Sequence, residues 1–228
     1  MSSIQASPWR EPVRALALQR AEVEARQAWR VDEDAPIPFN YRWEHVQAVV
    51  GLALWLAEEM DADPEAVEAA AWLHDIRKGE PEHGQRAAEE AEAFLPKVGF
   101  PPAKVEAVVQ ALVQHEGLTR PPGAPPLRPL EAAILWDADK LSKLGVQAMA
   151  HGLRSPGAWG ASLAEVRIGL ADFVAQTAPR TVASMNTPPA RALAETRYRN
   201  MVDALARWSE EETECIQYRL NIPGMGCI

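Results

Sequence analysis

The chain has 228 residues, enough for one substantial core, and reads as a single domain over residues 1–228. Its 23 Lys and Arg stand against 32 Asp and Glu, a formal net charge of -9. That balance argues against nucleic-acid binding, which leaves a basic footprint, but not against a small anionic substrate beside a cation. No run approaches the length of a membrane span and Met-Ser-Ser-Ile-Gln is not an apolar leader. No membrane partner is therefore expected, and a cytoplasmic setting is. Cys215 and Cys227 form neither a metal-spaced pair nor a disulfide framework.

Good helix formers dominate and strand-like alternation is absent, so an all-α fold is expected. A first helix is predicted over about 12–29, then an acidic, proline-bearing loop over Val31–Phe39. A second helix runs from Tyr41 to about Met60, with Val46, Val49, Val50, Ala53, Leu54 and Ala57 at helical spacing and His45 in its first turn. Asp63-Pro64 opens a third, an acid at the cap followed by proline at the first helical position. That helix ends around His74–Ile76, ahead of Gly79 and Pro81. Further helices are predicted over about 83–95 and 102–115. The prolines between 117 and 129 exclude regular helix and mark a surface loop. Helix resumes over 130–144, breaks at Gly152, Gly157 and Gly160, and returns over 162–175 and 188–209, with an irregular tail over 221–228.

Six residues stand out within this helical background: His45, His74, Asp75, His83, His115 and Asp139. An imidazole and a carboxylate side by side in an apolar run need a strong partner, because burying an unpaired carboxylate is costly. One divalent cation satisfies both, and nitrogen plus oxygen donors suit Fe, Mn, Ni, Co or Zn. His151, beside Gly152 in the break, reads as an ordinary surface residue.

The strings Tyr-Arg-Trp-Glu-His (41–45), Leu-His-Asp-Ile-Arg-Lys (73–78) and Asp-Ala-Asp-Lys-Leu (137–141) resemble those of the HD-domain metal-dependent phosphohydrolase superfamily. The resemblance covers about 41–145, with the helices over 12–29 and 162–209 packed on that core. It implies an all-α bundle around a site of one or two divalent metals, held by His45, His74, Asp75 and Asp139. It also implies hydrolysis of a phosphoester or phosphoanhydride in a small metabolite, above all a nucleotide. Asp137 and Asp139 are about 200° apart on a helix wheel. The resemblance selects Asp139, since a basic residue and Leu follow it, and leaves Asp137 to support a ligand or face solvent. Two further histidines, His83 and His115, match a branch with a second metal bridged by the Asp75 carboxylate. In other nucleotide-cleaving members a His eight residues after that Asp is a general acid or phosphate contact, and His83 has this spacing too.

Asp75, His83 and Lys78 are thus the expected catalytic groups, and Arg42, Lys78 and Lys140 the expected substrate contacts. Arg42 lies one turn before His45, where a guanidinium can grip phosphate with two donors. Arg77 stands where the His-Asp-Ile-Gly-Lys variant has glycine. Trp43, Trp72 and Trp136 are expected to wall the site, and Thr187 to cap the last helix, its loop able to close over the site. Two rivals share the residue set: a dinuclear iron oxygenase on the same fold, and a non-catalytic regulatory module.

Overall fold

The computed structural model describes residues 7–219, which are helical with no strand among them. The tail over 221–228 and Cys227 lie outside the described residues. The helices begin where the chain supplies caps. The helix α1 spans Arg10–Trp29, α2 Tyr41–Glu59 and α3 Pro64–Leu73. The Asn40 side chain accepts the Trp43 amide at 3.0 Å, and Asp63 accepts those of Glu65 and Ala66. Each bond satisfies an amide that the first helical turn leaves unpaired.

Small residues bring these three helices close. Ala17, Ala21 and Ala25 of α1, Ala53 and Ala57 of α2, and Ala66, Ala69 and Ala70 of α3 are all buried. With only a methyl group at each position, neighbouring backbones approach, and Leu56, Leu73 and Val67 fill the remaining space.

The helices α4 (His83–Phe94), α5 (Val105–Gln114) and α6 (Leu130–Leu141) complete the core, α5 crossing both of the others. Gly84 is needed at the α4–α5 crossing, because a Cβ there would sit 2.7 Å from the Leu112 carbonyl oxygen. The turn after α6 is made by Gly145 at φ +96°, over which the Arg197 side chain packs.

The C-terminal third departs from expectation. Where a Gly-rich break was predicted, Val146–Leu153 forms a short helix, α7, with Gly152 inside it. Its eight residues are too few for periodicity to register, and one glycine costs only about 1 kcal/mol in a helix. The helix α8 (Leu163–Asp172) starts at a Ser162–Glu165 capping box and continues through a π turn at Phe173–Thr177 into α9 (Ala178–Ala183). The last helix, α10, covers Pro188–Arg219, ten residues past the predicted end. Among the described residues no helix is long and apolar enough to cross a membrane.

Candidate metal centre

Five helices deliver the six residues to one place. His45 comes from the first turn of α2, His74 and Asp75 from the end of α3, His83 from the start of α4, His115 from the end of α5 and Asp139 from the last turn of α6. Helix termini are where separate helices can bring polar side chains together without breaking their own apolar faces. His45, His74, Asp75, His115 and Asp139 are buried, and His83 is half-buried.

The imidazoles share one orientation rule. Each holds an outer partner with Nδ1 and turns Nε2 inward. His74 Nδ1 donates to the Ala71 carbonyl at 2.8 Å and His115 Nδ1 to the Leu112 carbonyl at 2.6 Å. His45 Nδ1 meets the Ser142 hydroxyl at 3.1 Å, and His83 Nδ1 lies 3.2 Å from Glu116 Oε1. Outer partners of this kind set the tautomer and ring angle of metal-binding histidines.

The Asp75 carboxylate lies between two imidazole pairs. Its Oδ2 is 3.5 Å from both His45 Nε2 and His74 Nε2, and its Oδ1 is 3.7 Å from His83 Nε2 and 3.8 Å from His115 Nε2. Asp139 Oδ1 completes the first pair, 3.3 Å from His45 Nε2. Two three-donor groups result: His45, His74 and Asp139, and Asp75, His83 and His115.

The donors fit a divalent cation. His45 Nε2 and His74 Nε2 stand 3.2 Å apart, the separation of two nitrogens that each bind one ion at about 2.1 Å. His115 Nε2 is buried with no hydrogen-bond partner among the described residues, and such an orphan calls for an explanation. A cation between it, His83 and Asp75 would supply one.

Protonation favours the same reading. Burial holds the His74 imidazole down to about 3, so it stays a neutral donor. Burial pushes Asp75 and Asp139 upward, but their neighbours outweigh it and both lie well below the usual carboxylate range. For Asp75 the neighbours are His74, His115, His45 and Arg42; for Asp139 they are Lys140, Lys143 and His45.

The basic residues divide by what they already hold. Arg42 donates to Asp75 Oδ2 through one terminal nitrogen at 2.5 Å, and to Glu24 of α1 through Nε at 2.8 Å and the other terminal nitrogen at 3.2 Å. Its fork is spent on the protein's own carboxylates. Lys140 is 1% exposed and donates to the His115 carbonyl at 2.6 Å and to Asp139. Lys78 is half-buried, its ammonium 3.4 Å from Asp75 Oδ1 and 3.2 Å from His83 Nε2. The half-buried Lys143, not singled out in the sequence, brings its ammonium 3.2 Å from His45 Nε2 and 3.6 Å from Asp139 Oδ1. Lys78, Lys140 and Lys143 line a cavity of about 200 Å³ together with Asp139, which with Asp75 makes the pair of carboxylates at the centre.

Glu116 and Ser142 also escaped the sequence reading as functional residues. The signal was present: Ser142 and Lys143 follow Asp139 by three and four residues, one helical turn on, and Glu116 adjoins His115.

Two side chains differ from expectation. Asp137 neither faces solvent nor supports a ligand. It is fully buried, and its two oxygens accept the amides of Asn186 and Thr187, the Asn186 side chain and the Thr187 hydroxyl, all at 2.8–2.9 Å. The segment that leads into α10 is therefore tied down at Asp137. His151 is half-buried rather than free on the surface, and its Nε2 donates to the Tyr41 carbonyl at 2.8 Å. Of the tryptophans, Trp136 is buried under the Lys140 ammonium, while Trp43 and Trp72 stack on each other.

Comparison with known proteins gives the same picture. Residues 42–144 match the family model of the HD domain. The chain is 28% identical over 165 residues to the uncharacterized protein YpgQ of Bacillus subtilis strain 168, a stretch covering 72% of this chain and 80% of YpgQ. The crystal structure of Bacillus subtilis YpgQ in complex with ADP is similar at a TM-score of 0.60 and 23% identity, over 91% of this chain and 98% of that one. An HD-superfamily hydrolase from Bacillus thuringiensis is similar at a TM-score of 0.60 and 20% identity, over 88% and 98% of the two chains. At these identities the structural likeness speaks for the fold. The histidine–aspartate pair at the end of α3, the bundle around it and the family model agree: residues 42–144 match the HD domain, in sequence and in fold.

Proposed function

We propose that the protein is a metal-dependent phosphohydrolase that cleaves a phosphoester or phosphoanhydride bond in a small metabolite, most specifically a nucleotide, and that the whole chain works as one HD-type unit. The observation that carries this is the Asp75 carboxylate, divided between two imidazole pairs. The ADP bound by the Bacillus subtilis relative adds support for a phosphorylated ligand. His45, His74, Asp139 and Asp75 would hold one divalent cation, and Asp75, His83 and His115 a second; nitrogen and oxygen donors suit Fe, Mn, Ni, Co or Zn. Such cations polarise phosphoryl oxygens and acidify water.

The chain's own groups do the rest. Asp75 sets the spacing between the two halves. Lys78 and Lys143 stand at the cavity with ammonium groups able to turn toward phosphoryl oxygens, where developing charge is stabilised. Lys140 holds Asp139 in place. His83, held by Glu116, is the most exposed of the four imidazoles; where one cation alone is bound, its Nε2 is released from ligation and can move a proton at the leaving oxygen instead.

Two measurements test the reading. Asp75→Ala should lose bound metal and phosphohydrolase turnover while keeping its helical circular dichroism; full metal content with full activity would sink the proposal. Metal analysis of the wild type should give about two ions per chain, falling to about one in His115→Ala. A wild-type value of one, unchanged in His115→Ala, would leave His83 as a proton donor only.

A further inference from the structure

A second cavity adjoins the first. It measures about 470 Å³ and lies among α2, α7 and the end of α6. His45 and Lys143 belong to its lining, and Lys143 also lines the cavity over the paired carboxylates. The two spaces therefore share a wall at the ammonium best placed to meet phosphate.

Their sizes divide the labour. The space over the carboxylates, about 200 Å³, is below the range of roughly 300–1,000 Å³ in which proteins hold small molecules, and the second is inside it. The lining of the second is mixed. Leu52 and Leu144 give it an apolar surface, and Gln147 and His151 offer hydrogen-bonding groups. Phe39 provides an aromatic ring with the Arg154 guanidinium 4.1 Å from its centroid and the His151 ring edge-on at 5.7 Å. Flat ring, flat cation and a few polar groups are what a planar heteroaromatic body meets well.

Gly51 offers a position from which to test the cavity. It lies in the middle of α2, where glycine costs about 1 kcal/mol against alanine. Its φ is ordinary, and a Cβ there would meet nothing within 4 Å, so neither backbone strain nor packing requires glycine. It is exposed and lines the cavity, so a side chain there would stand at the cavity's mouth.

We propose that this cavity receives the heteroaromatic body of the phosphorylated substrate, a nucleoside, while its phosphates reach across Lys143 to the paired carboxylates. The inference rests on the phosphohydrolase reading for its substrate class. Isothermal titration calorimetry on the metal-loaded full chain tests it, with ADP and pyrophosphate as probes, since pyrophosphate is the same diphosphate without the nucleoside. Gly51→Leu puts a side chain at the mouth of the cavity, at a position where nothing needs to shift. ADP binding should weaken about tenfold or more in this variant, the scale on which a misfitted apolar pocket discriminates. Gly51→Ala should fall between, and pyrophosphate binding should be unchanged in both. Equal ADP affinity in wild type and Gly51→Leu, or equal weakening of ADP and pyrophosphate, overturns the assignment. Gly51-sensitive ADP binding without any turnover would uphold the cavity and overturn the phosphohydrolase reading alone.

Discussion

At the scale of single residues, Arg42 shows how far a sequence pattern reaches. One turn before His45, it points the expected way, but its guanidinium bridges Glu24 and Asp75. Arg42→Ala removes a charge-assisted contact worth roughly 1.5–3 kcal/mol, so catalytic efficiency should drop on the order of tenfold to a hundredfold. Arg42→Lys should recover only part, because a single ammonium cannot span two carboxylates as the fork does. Glu24→Gln separates two accounts of that loss. If Arg42 acts by steadying Asp75, steady-state kinetics of Glu24→Gln should show a lower kcat with little change in KM. A changed KM at constant kcat would place the guanidinium on the substrate. The six histidine and aspartate candidates were legible because each sits in a short local string. Glu24 was not, since it lies 18 residues before Arg42 and on another helix, and only packing brings them together.

At the scale of elements, α6 carries two aspartates two residues apart that serve opposite sides. The helix wheel separated them in advance; what the sequence could not supply was a partner for Asp137, 49 and 50 residues further on. Burial pushes the Asp137 carboxyl up from its ordinary value, against the pull of its four hydrogen bonds to Asn186 and Thr187. Asp137→Ala would leave those donors unpaired, at a cost of at least about 2 kcal/mol. Thermal unfolding should move down by roughly 4–8 °C for a chain of this size. Metal content should hold, because Asp137 faces away from the paired carboxylates; loss of metal in this variant would contradict that separation of faces. The overlooked α7 and the underestimated length of α10 differ in cause. The short α7 packs against α10, so tertiary contact decides what its few residues left open, whereas residues 210–214 of α10 are largely exposed, with Glu212 paired to Arg167 of α8.

At the scale of the whole molecule, the polar centre makes the metal-free fold sensitive to acid. His74 titrates in the folded state at about 3 against an ordinary 6.5, so the unfolded chain binds the extra proton between those values. Stability is then fully present above 6.5 and lost as pH falls toward 3. Asp75 and Asp139, both depressed, act in the same direction: their contribution is present above the ordinary carboxylate value and lost as pH falls through their folded values. Asp137, raised, works the other way, its contribution lost as pH rises through its folded value. The net expectation for the metal-free protein is a melting temperature that falls steadily with acidification below 6.5, measured by circular dichroism; a flat profile would mean that His74 is not held neutral. The Asp137 anchor also has a practical consequence. A fragment trimmed to the family-matched segment 42–144 would keep every histidine of the centre. It would lose Glu24, which holds Arg42, and Asn186 and Thr187, which satisfy a fully buried carboxylate. The stretch that carries the signature is therefore shorter than the stretch that has to fold around it, and trimming to the signature should yield an insoluble or misfolded product with its chemistry nominally intact.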